Sequence, residues 1–460
     1  MPVDLSKIKN LVVVMMENRS FDHMLGYLSL PPFNRGDVDG LRTDPEWLAR
    51  FTNSDHGQAY QPFLNTNPLT MPDDFDPPHE RSNVAGNLGP LQNNAYPMNG
   101  FVSSIPASVS ADPAVRKLVM SYFGAAQAPM NDFFARNYAI CDRWFSSLPA
   151  GTQPNRLMSM SGFSMIDVNH DVLPEQELVY DWLTAHGVNW RVYHQGIPFF
   201  TMMLKWVDEI LLSDRFRSFD DLEGDLMNTP PDQLPQVIFI EPTYQDAPHL
   251  GWATDEHAPS GISNGQEFLM QVYNAVTNSR AFWQGAVMVV DYDEHGGFFD
   301  HVSPPMISTQ PPPGASYTTP FVSLGVRTPG YVISPFVQAG SVNHTLLDHI
   351  SVLKLMGEKF GANGSYSPVV DARPVQSVSA VLNFNNPITN PPSAPALNNY
   401  LASRPPMPTG ATVPTPDTNL QKGFQQAVTS LKQNGADQNH PKFGELLAAM
   451  DGLPAQPKNS

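Results

Sequence analysis

Unbroken apolar runs recur along the chain. Residues 11–16 (Leu-Val-Val-Val-Met-Met), 237–240 (Val-Ile-Phe-Ile) and 286–290 (Ala-Val-Met-Val-Val) are continuous and rich in β-branched side chains, and 331–333 (Tyr-Val-Ile) is a shorter run of the same kind. A strand covered on both faces needs no polar alternation, so these runs predict strands buried inside a sheet, as in parallel sheets. Between them the apolar period changes to that of a helix. One helix is predicted near residues 266–275 and another over 345–360, where Leu346, Ile350, Leu353 and Met356 form one stripe. Strand–helix alternation predicts an α/β fold, in which chemistry gathers at the carboxyl ends of the strands.

Two regions break the pattern. Residues 31–100 are rich in Pro, Asn and Asp with little periodicity, and read as a long insertion able to cap a site. Residues 383–419 read as an irregular surface arm. Leu420, Phe424, Val428 and Leu431 then recur at helical spacing, and a further short helix is predicted at 443–450. No internal repeat is evident. The run at 11–16 is far short of the ~20 residues that span a bilayer. It ends in Glu17 with no small-residue cleavage site after it, so no signal peptide and no transmembrane helix is predicted. The location stays open between the cell interior and export by a leader or route that this sequence does not display.

Composition narrows the class. Of 460 residues only 15% are charged, and 46 are proline, about twice the usual share, which suits a globular chain with long, stiff loops. Acidic groups number 44 against 26 basic, giving a net charge of −18. Such a surface repels a phosphate backbone, so nucleic acid is not an expected partner. Any membrane contact has to be local and apolar. The lone cysteine, Cys141, permits no internal disulfide and reads as a small buried hydrophobe. Phe199, Phe200, Met202 and Met203 read as core, with acyl-chain contact the alternative.

Three polar clusters follow apolar segments directly. The first runs from Glu17 and Asn18 through Arg19, Ser20 and Asp22 to His23. A carboxylate and an amide oxygen at a strand end suit a divalent cation. Asn18 or Ser20 as a helix cap is the plain alternative. The second packs Asp291, Asp293, Glu294, His295, Asp300 and His301 around two glycines, just after a buried strand. Carboxylates so crowded repel one another unless a cation or ion pairs offset them. The third is Gly151-Thr152-Gln153-Pro154-Asn155-Arg156, whose Thr and Pro signal a helix start. Thr152 reads either as an N-cap or, beside a metal, as a nucleophile toward phosphorus. His79 (in Asp76-Pro-Pro-His79-Glu80), His249 and His257 are further candidates, while His344 and His349 read as structural. No His-Glu-x-x-His, Walker loop or Gly-x-Ser-x-Gly occurs, so zincins, P-loop enzymes and α/β-hydrolases lack motif support.

In chain order, Glu17-Asn-Arg-Ser-Phe-Asp22, Gly151-Thr-x-Pro-Asn-Arg156, Asp293-Glu-His-Gly-Gly-x-x-Asp-His301-Val-x-Pro-Pro305 and Asp348-His-x-Ser-x-Leu-Lys354 resemble the phosphoesterase family of bacterial, fungal and plant phospholipases C and related acid phosphatases. The resemblance implies an alkaline-phosphatase-like fold: a central, mostly parallel sheet flanked by helices, with loop insertions. It implies a phosphoesterase domain over residues 1–375, with 31–100 capping the site, and an arm plus helical segment over 376–460. It places Glu17, Asn18, Asp293, Glu294 and Thr152 at metal positions, with Thr152 also the nucleophile. His79, His257, His295 and His301 match site histidines, and Asn155 and Arg156 are expected at the substrate, Arg156 equally as a structural ion pair.

The activity implied is a metal-dependent phospholipase C that releases diacylglycerol through a phospho-threonine. The alternatives are a broad acid phosphomonoesterase or a metal-stabilised lipid-binding protein. Zinc is the implied ion, since the Asp-Pro-Pro-His-Glu segment resembles zinc-dependent members, while Mn²⁺, Ca²⁺ or Mg²⁺ also suit oxygen-rich ligands. The expected partner is a phospholipid or other phosphate ester, and no obligate protein partner is expected.

Overall fold

The computed structural model describes residues 4–69, 71–436 and 441–451. The four apolar runs all form strands of one eight-stranded sheet. Its members are β1 (Asn10–Met16), β2 (Ala139–Cys141), β3 (Trp190–His194), β4 (Phe216–Ser218), β5 (Val237–Glu241), β6 (Ala286–Tyr292), β7 (Gly330–Ile333) and β8 (Val342–Asn343). Their order across the sheet is β8-β2-β7-β6-β1-β5-β3-β4. Five of the seven pairings are parallel, and the two involving β7 are antiparallel. Residues 331–333 thus look like the parallel strands in sequence yet run the other way. Burial on both faces, not direction, is what an unbroken apolar run records.

Helices cover both faces of this sheet, as expected for an α/β fold. Eight matter below: α1 (Phe21–Leu25), α2 (Pro45–Phe51), α3 (Arg81–Leu88), α4 (Thr152–Ser161), α5 (Ser263–Asn278), α6 (Ile350–Phe360), α7 (Asn419–Gln433) and α8 (Pro441–Asp451). The helix predicted over 345–360 starts later than its apolar stripe. Leu347 and Asp348 pair instead with Trp144 and Phe145, and the Asp348 carboxylate accepts the Ile350 N–H at 3.0 Å, a local bond that starts the helix at Ile350. Leu346 leaves the stripe for a small satellite cluster with Phe145 and Leu324.

The proline-rich stretch is better ordered than its composition suggests. Asp44 caps α2 by accepting the Trp47 N–H at 2.9 Å. Trp47, Phe51, Tyr60, Phe75, Val84, Leu88 and Phe101 then share an apolar cluster with Phe298 and Phe299. That cluster fastens the stretch to the loop that follows β6. Cys141 is buried and unpaired, and burial pushes its thiol up from its ordinary value. Phe199, Phe200, Met202 and Met203 are core residues. Among the described residues no helix is long and apolar enough to cross a membrane.

Candidate active site

The register of neighbouring parallel strands builds the site. β1 and β6 pair with Met16 opposite Tyr292, so Glu17 and Asn18 leave one strand at the level where Asp293 and Glu294 leave the other. Residues far apart in sequence become neighbours at the carboxyl edge for that reason. The junction is pinned by three bonds. The Asp293 N–H donates to the Met16 carbonyl at 3.1 Å, Asn18 N–H to Asp293 Oδ1 at 3.1 Å, and Glu17 N–H to the Asp255 carbonyl at 2.9 Å. Asn18 itself is left-handed, with φ 62°. Gly296 (φ 61°) passes so close that a Cβ there would collide with the Asn18 carbonyl, so the turn requires glycine.

Helix α4 enters from the other side. Gly151 occupies the cap position without a side-chain bond, which makes Thr152 the first helical residue. The N-cap reading of Thr152 is therefore set aside: its Oγ1 is buried and has no hydrogen-bond partner. One turn further on, on the same face, Arg156 places Nη2 3.0 Å from Glu17 Oε1 and Nε 3.5 Å from Asp293 Oδ2. Its guanidinium lies over the Phe199 ring at 4.6 Å and the Tyr244 ring at 5.0 Å. In the first cluster the cap is Ser20, whose hydroxyl accepts the His23 N–H, and not Asn18.

Imidazoles line the opposite wall. His257 Nδ1 is 3.1 Å from Glu17 Oε2 and 3.2 Å from Asp246 Oδ2, while its Nε2 is 3.5 Å from Asp76 Oδ1. His79 Nε2 lies 3.2 Å from Asn18 Nδ2, and the His79 and His257 ring centres are 5.4 Å apart. His295 Nδ1 meets Glu294 Oε2 at 3.1 Å, leaving its buried Nε2 without a hydrogen bond. Burial pulls the His79 imidazole down, but Glu294 and Asp76 outweigh it and hold it up at about 9. Burial likewise opposes His257, which Asp76 and Asp246 raise well above its ordinary value. Burial and Glu17 together push Asp293 up to about 7 against the pull of Arg156. Burial would raise Glu294, yet His79 and His295 bring it below its usual value.

The atoms left over define what fits. Glu17 Oε1, Asn18 Oδ1, Asp76 Oδ1, Asp293 Oδ2, Glu294 Oε1, Thr152 Oγ1, His257 Nε2 and His295 Nε2 are all buried without hydrogen-bond partners. Buried polar atoms are costly to leave unsatisfied, and these are oxygen and imidazole donors. The donor set is compatible with a divalent cation. Glu17–Asp246–His257 and Asp76–His79–His257 each bring ligand atoms within 4.8 Å of one another.

Two expected residues have partners outside this cluster. Asn155 spends its side chain on the preceding loop, accepting Leu148 N–H at 2.9 Å and donating to the Leu148, Ala150 and Gly151 carbonyls, so it shapes the turn. His301 pairs with Asp22 at 2.6 Å and Asp39 at 3.1 Å, in a separate cluster around Arg327. Asp76 and Asp246 were missed as site carboxylates. Asp246 follows β5, so the strand-end rule applied to residues 237–240 points to it, and Asp76 stands three residues before His79.

A mostly parallel sheet with a buried carboxylate–imidazole cluster at its carboxyl edge defines an α/β protein whose site is compatible with a divalent cation. The chain belongs to the Phosphoesterase family, whose model matches residues 8–363. It is 34% identical to non-specific phospholipase C3 of Arabidopsis thaliana over 363 residues, 74% of this chain and 65% of that protein. To non-specific phospholipase C1 of the same plant it is 33% identical over 350 residues, covering 73% and 62%. With phospholipase C B of Mycobacterium tuberculosis (strain ATCC 25618 / H37Rv) the identity is 28% over 413 residues, 78% of this chain and 74% of that one. The chain thus spans a little under two thirds of the length of the two plant relatives. Among solved structures it is similar to a protein in the alkaline phosphatase superfamily from Vibrio parahaemolyticus (TM-score 0.30, 10% identity, 87% of this chain and 94% of that one).

Proposed function

We propose that this chain is a metal-dependent phosphoric ester hydrolase of the phospholipase C type, acting through Thr152. The observation that carries the reading is the buried, unpartnered Thr152 hydroxyl at the head of α4, one turn from the arginine that binds Glu17 and Asp293. Glu17, Asn18, Asp293, Glu294 and the Thr152 hydroxyl would hold the ion, zinc being the reading favoured by resemblance. Bound there, a divalent cation would offset the carboxylates, lower the pKa of the threonine hydroxyl and polarise a phosphoryl oxygen.

The chain's own groups do the rest. Thr152 Oγ1 forms a bond to phosphorus, and the bond from phosphorus to the glycerol-side oxygen breaks. His257 Nε2 gives its proton to that oxygen, releasing diacylglycerol. The neutral ring then takes a proton from the water that attacks phospho-Thr152, which frees the phospho-head group and expels Thr152 Oγ1 as the alkoxide, the form in which it attacked after giving its proton to solvent. Two displacements return phosphorus to its original configuration. His79, fixed by the Pro77 carbonyl and Asn18, lines the side on which the phosphate would enter. Arg156 already serves Glu17 and Asp293, which favours its ion-pair role over a phosphate-binding one. In this reading residues 31–100 cap the pocket, bringing Asp76 and His79.

The test compares phosphocholine release from phosphatidylcholine vesicles with hydrolysis of p-nitrophenyl phosphate, before chelation, after it, and after re-addition of Zn²⁺. Release of phosphocholine that is lost on chelation and regained with the ion is expected. Turnover of the monoester alone overturns the phospholipase reading in favour of a phosphomonoesterase, and undiminished turnover after chelation overturns the metal dependence.

A further inference from the structure

Helix α7 lies beyond residues 8–363, the segment that the family model matches, yet three of its side chains reach the site at second hand. Gln421 Nε2 donates to Asp246 Oδ1 at 2.7 Å, and the other Asp246 oxygen lies 3.2 Å from His257 Nδ1. Phe424 stacks on Tyr244 (5.6 Å between centres, 28° between planes) and meets Phe199 edge-on at 5.7 Å. Those are the two rings that hold the Arg156 guanidinium. Asn419 Nδ2 donates to the Asn169 carbonyl at 2.9 Å, and the Asn169 side chain accepts the N–H of Gln153, next to Thr152. The fit is close: a Cβ on Gly423 would lie 2.9 Å from Met202 Sδ and 3.2 Å from the Asp171 carbonyl oxygen.

From this chain of contacts we infer that α7 completes the active site, with Gln421 a positioning residue that acts through Asp246 on His257. This rests on the function proposed above. Without a donor from Gln421, Asp246 is free to turn. His257 Nδ1 also meets Glu17 Oε2 at 3.1 Å, so the imidazole then loses one of two carboxylates, the one not assigned to the ion and a partner of the kind that orients site histidines elsewhere. Asp246 is buried, and the amide of Gln421 is neutral, so the bond orients the carboxylate without cancelling its charge.

The decisive experiment uses the full chain and two readouts. Gln421→Met keeps the side chain's length and removes both the donor and the oxygen that accepts the Asp417 and Thr418 N–H groups, Gln421→Lys restores a donor without that oxygen, and Lys422→Met changes an exposed neighbour on the same helix. In protein labelled with ¹⁵N-histidine, Gln421→Met is expected to move the His257 ring resonances, with Lys422→Met leaving them in place. On phosphatidylcholine, kcat is expected to fall about 10–100-fold with KM nearly unchanged, Gln421→Lys recovering most of the loss. Gln421→Met added to Asp246→Asn is expected to cost little more than Asp246→Asn alone. An unmoved His257 resonance overturns the inference. So does a resonance that moves while kcat stays at the wild-type value, and so does full additivity with Asp246→Asn. A wild-type chain that turns over no phosphate ester overturns the proposed function instead, and the ring resonances still decide the contact.

Discussion

Two buried clusters of carboxylates and histidine are made from the same two stretches of chain, and they differ in kind. Residues 17–23 and 293–301 contribute to both. In the first, around Glu17, Asn18, Asp293 and Glu294, one oxygen of each residue is buried without a hydrogen bond. In the second, Arg327 binds Asp300 at 3.2 Å and Asp22 at 3.0 Å and donates to the Asp39 and Asp142 carbonyls. Asp22 Oδ2 also accepts the His301 backbone N–H at 2.8 Å, and Asp300 accepts the N–H groups of Asp22 and Val302. No side-chain atom of Asp22, Asp300, His301 or Arg327 is among the buried unpartnered ones. Both clusters look alike to a search for carboxylates near histidine, and Asp22–Asp300–His301 meets a distance criterion for metal ligands as well. Satisfaction separates them: the second is a closed ion-pair network that holds the loop after β6 to α1, whereas the first, the open one, sets Arg156 against Glu17 and Asp293 and leaves Asn18 Oδ1, Glu294 Oε1 and Thr152 Oγ1 without a partner.

The contrast breaks most sharply at the hydroxyl. Thr152→Ala is expected to lower kcat by about 10³-fold or more, because no neighbouring oxygen stands in for the nucleophile. Its denaturant midpoint should stay near the wild-type value, since the lost atom had no hydrogen bond, while metal binding should weaken by the one ligand the hydroxyl supplies. Near-full turnover by this variant would remove Thr152 from the mechanism and leave the nucleophile to another group of the open cluster or to water.

A pair of substitutions sharpens the comparison through stability. Arg327→Met should cost about 3–5 kcal/mol in denaturant unfolding, because it leaves Asp22 and Asp300 buried without their counter-charge. Asp293→Asn should do the reverse in the apo-protein. It replaces a carboxyl already pushed up to about 7 by burial and Glu17, so stability is expected to hold or rise. That variant should lose the stabilisation that added Zn²⁺ gives the wild type, about 2.7 kcal/mol at a hundredfold excess over Kd. Equal destabilisation by both substitutions would erase the distinction between an open and a closed cluster.

The sequence made the strands legible because burial on both faces leaves 11–16 and 286–290 no room for a polar residue. It made Glu17, Asn18, Asp293 and Glu294 legible because each follows such a run at once. What it hid is decided by contacts between distant segments. The reversed direction of β7 depends on its connection to β6, which the Tyr-Val-Ile triplet does not encode. His301 stands close to Asp293 in the chain, but Gly296 (φ 61°) and Gly297 (φ 74°) turn the backbone, and the loop carries His301 to Asp22 instead. Asp76 and Asp246 carry weak signals, one near His79 and one after β5, and the meeting of their loops at His257 is what joins them in one site.

The mildest test concerns pH, and it reads the closed cluster as the difference between wild type and His301→Asn, because His79 in the first cluster is also held up at about 9. Burial pulls His301 down, but Asp22 outweighs it with help from Asp39 and holds the imidazole up at about 9. A histidine raised in the folded state binds its proton more tightly there than in the unfolded chain, where its pKa is near 6.5. Its contribution to stability is therefore complete below pH ~6.5 and is lost as pH climbs through about 9. Asp300, pushed up to about 6 by burial and Asp22 against Arg327, also favours the folded state when protonated, but that advantage fades between pH ~3.8 and about 6. The two windows do not overlap. The His301 share of the fall in unfolding free energy should be about 2 kcal/mol between pH 6.5 and 9.5, and His301→Asn should make that limb shallower by this amount while leaving the acid side in place. A wild-type curve that is level across this range, or an unchanged fall in His301→Asn, would mean that the imidazole is neutral in the folded protein. The network would then be held by Arg327 and its two carboxylates alone, and the closed cluster would owe its stability to one cation where two are now assigned.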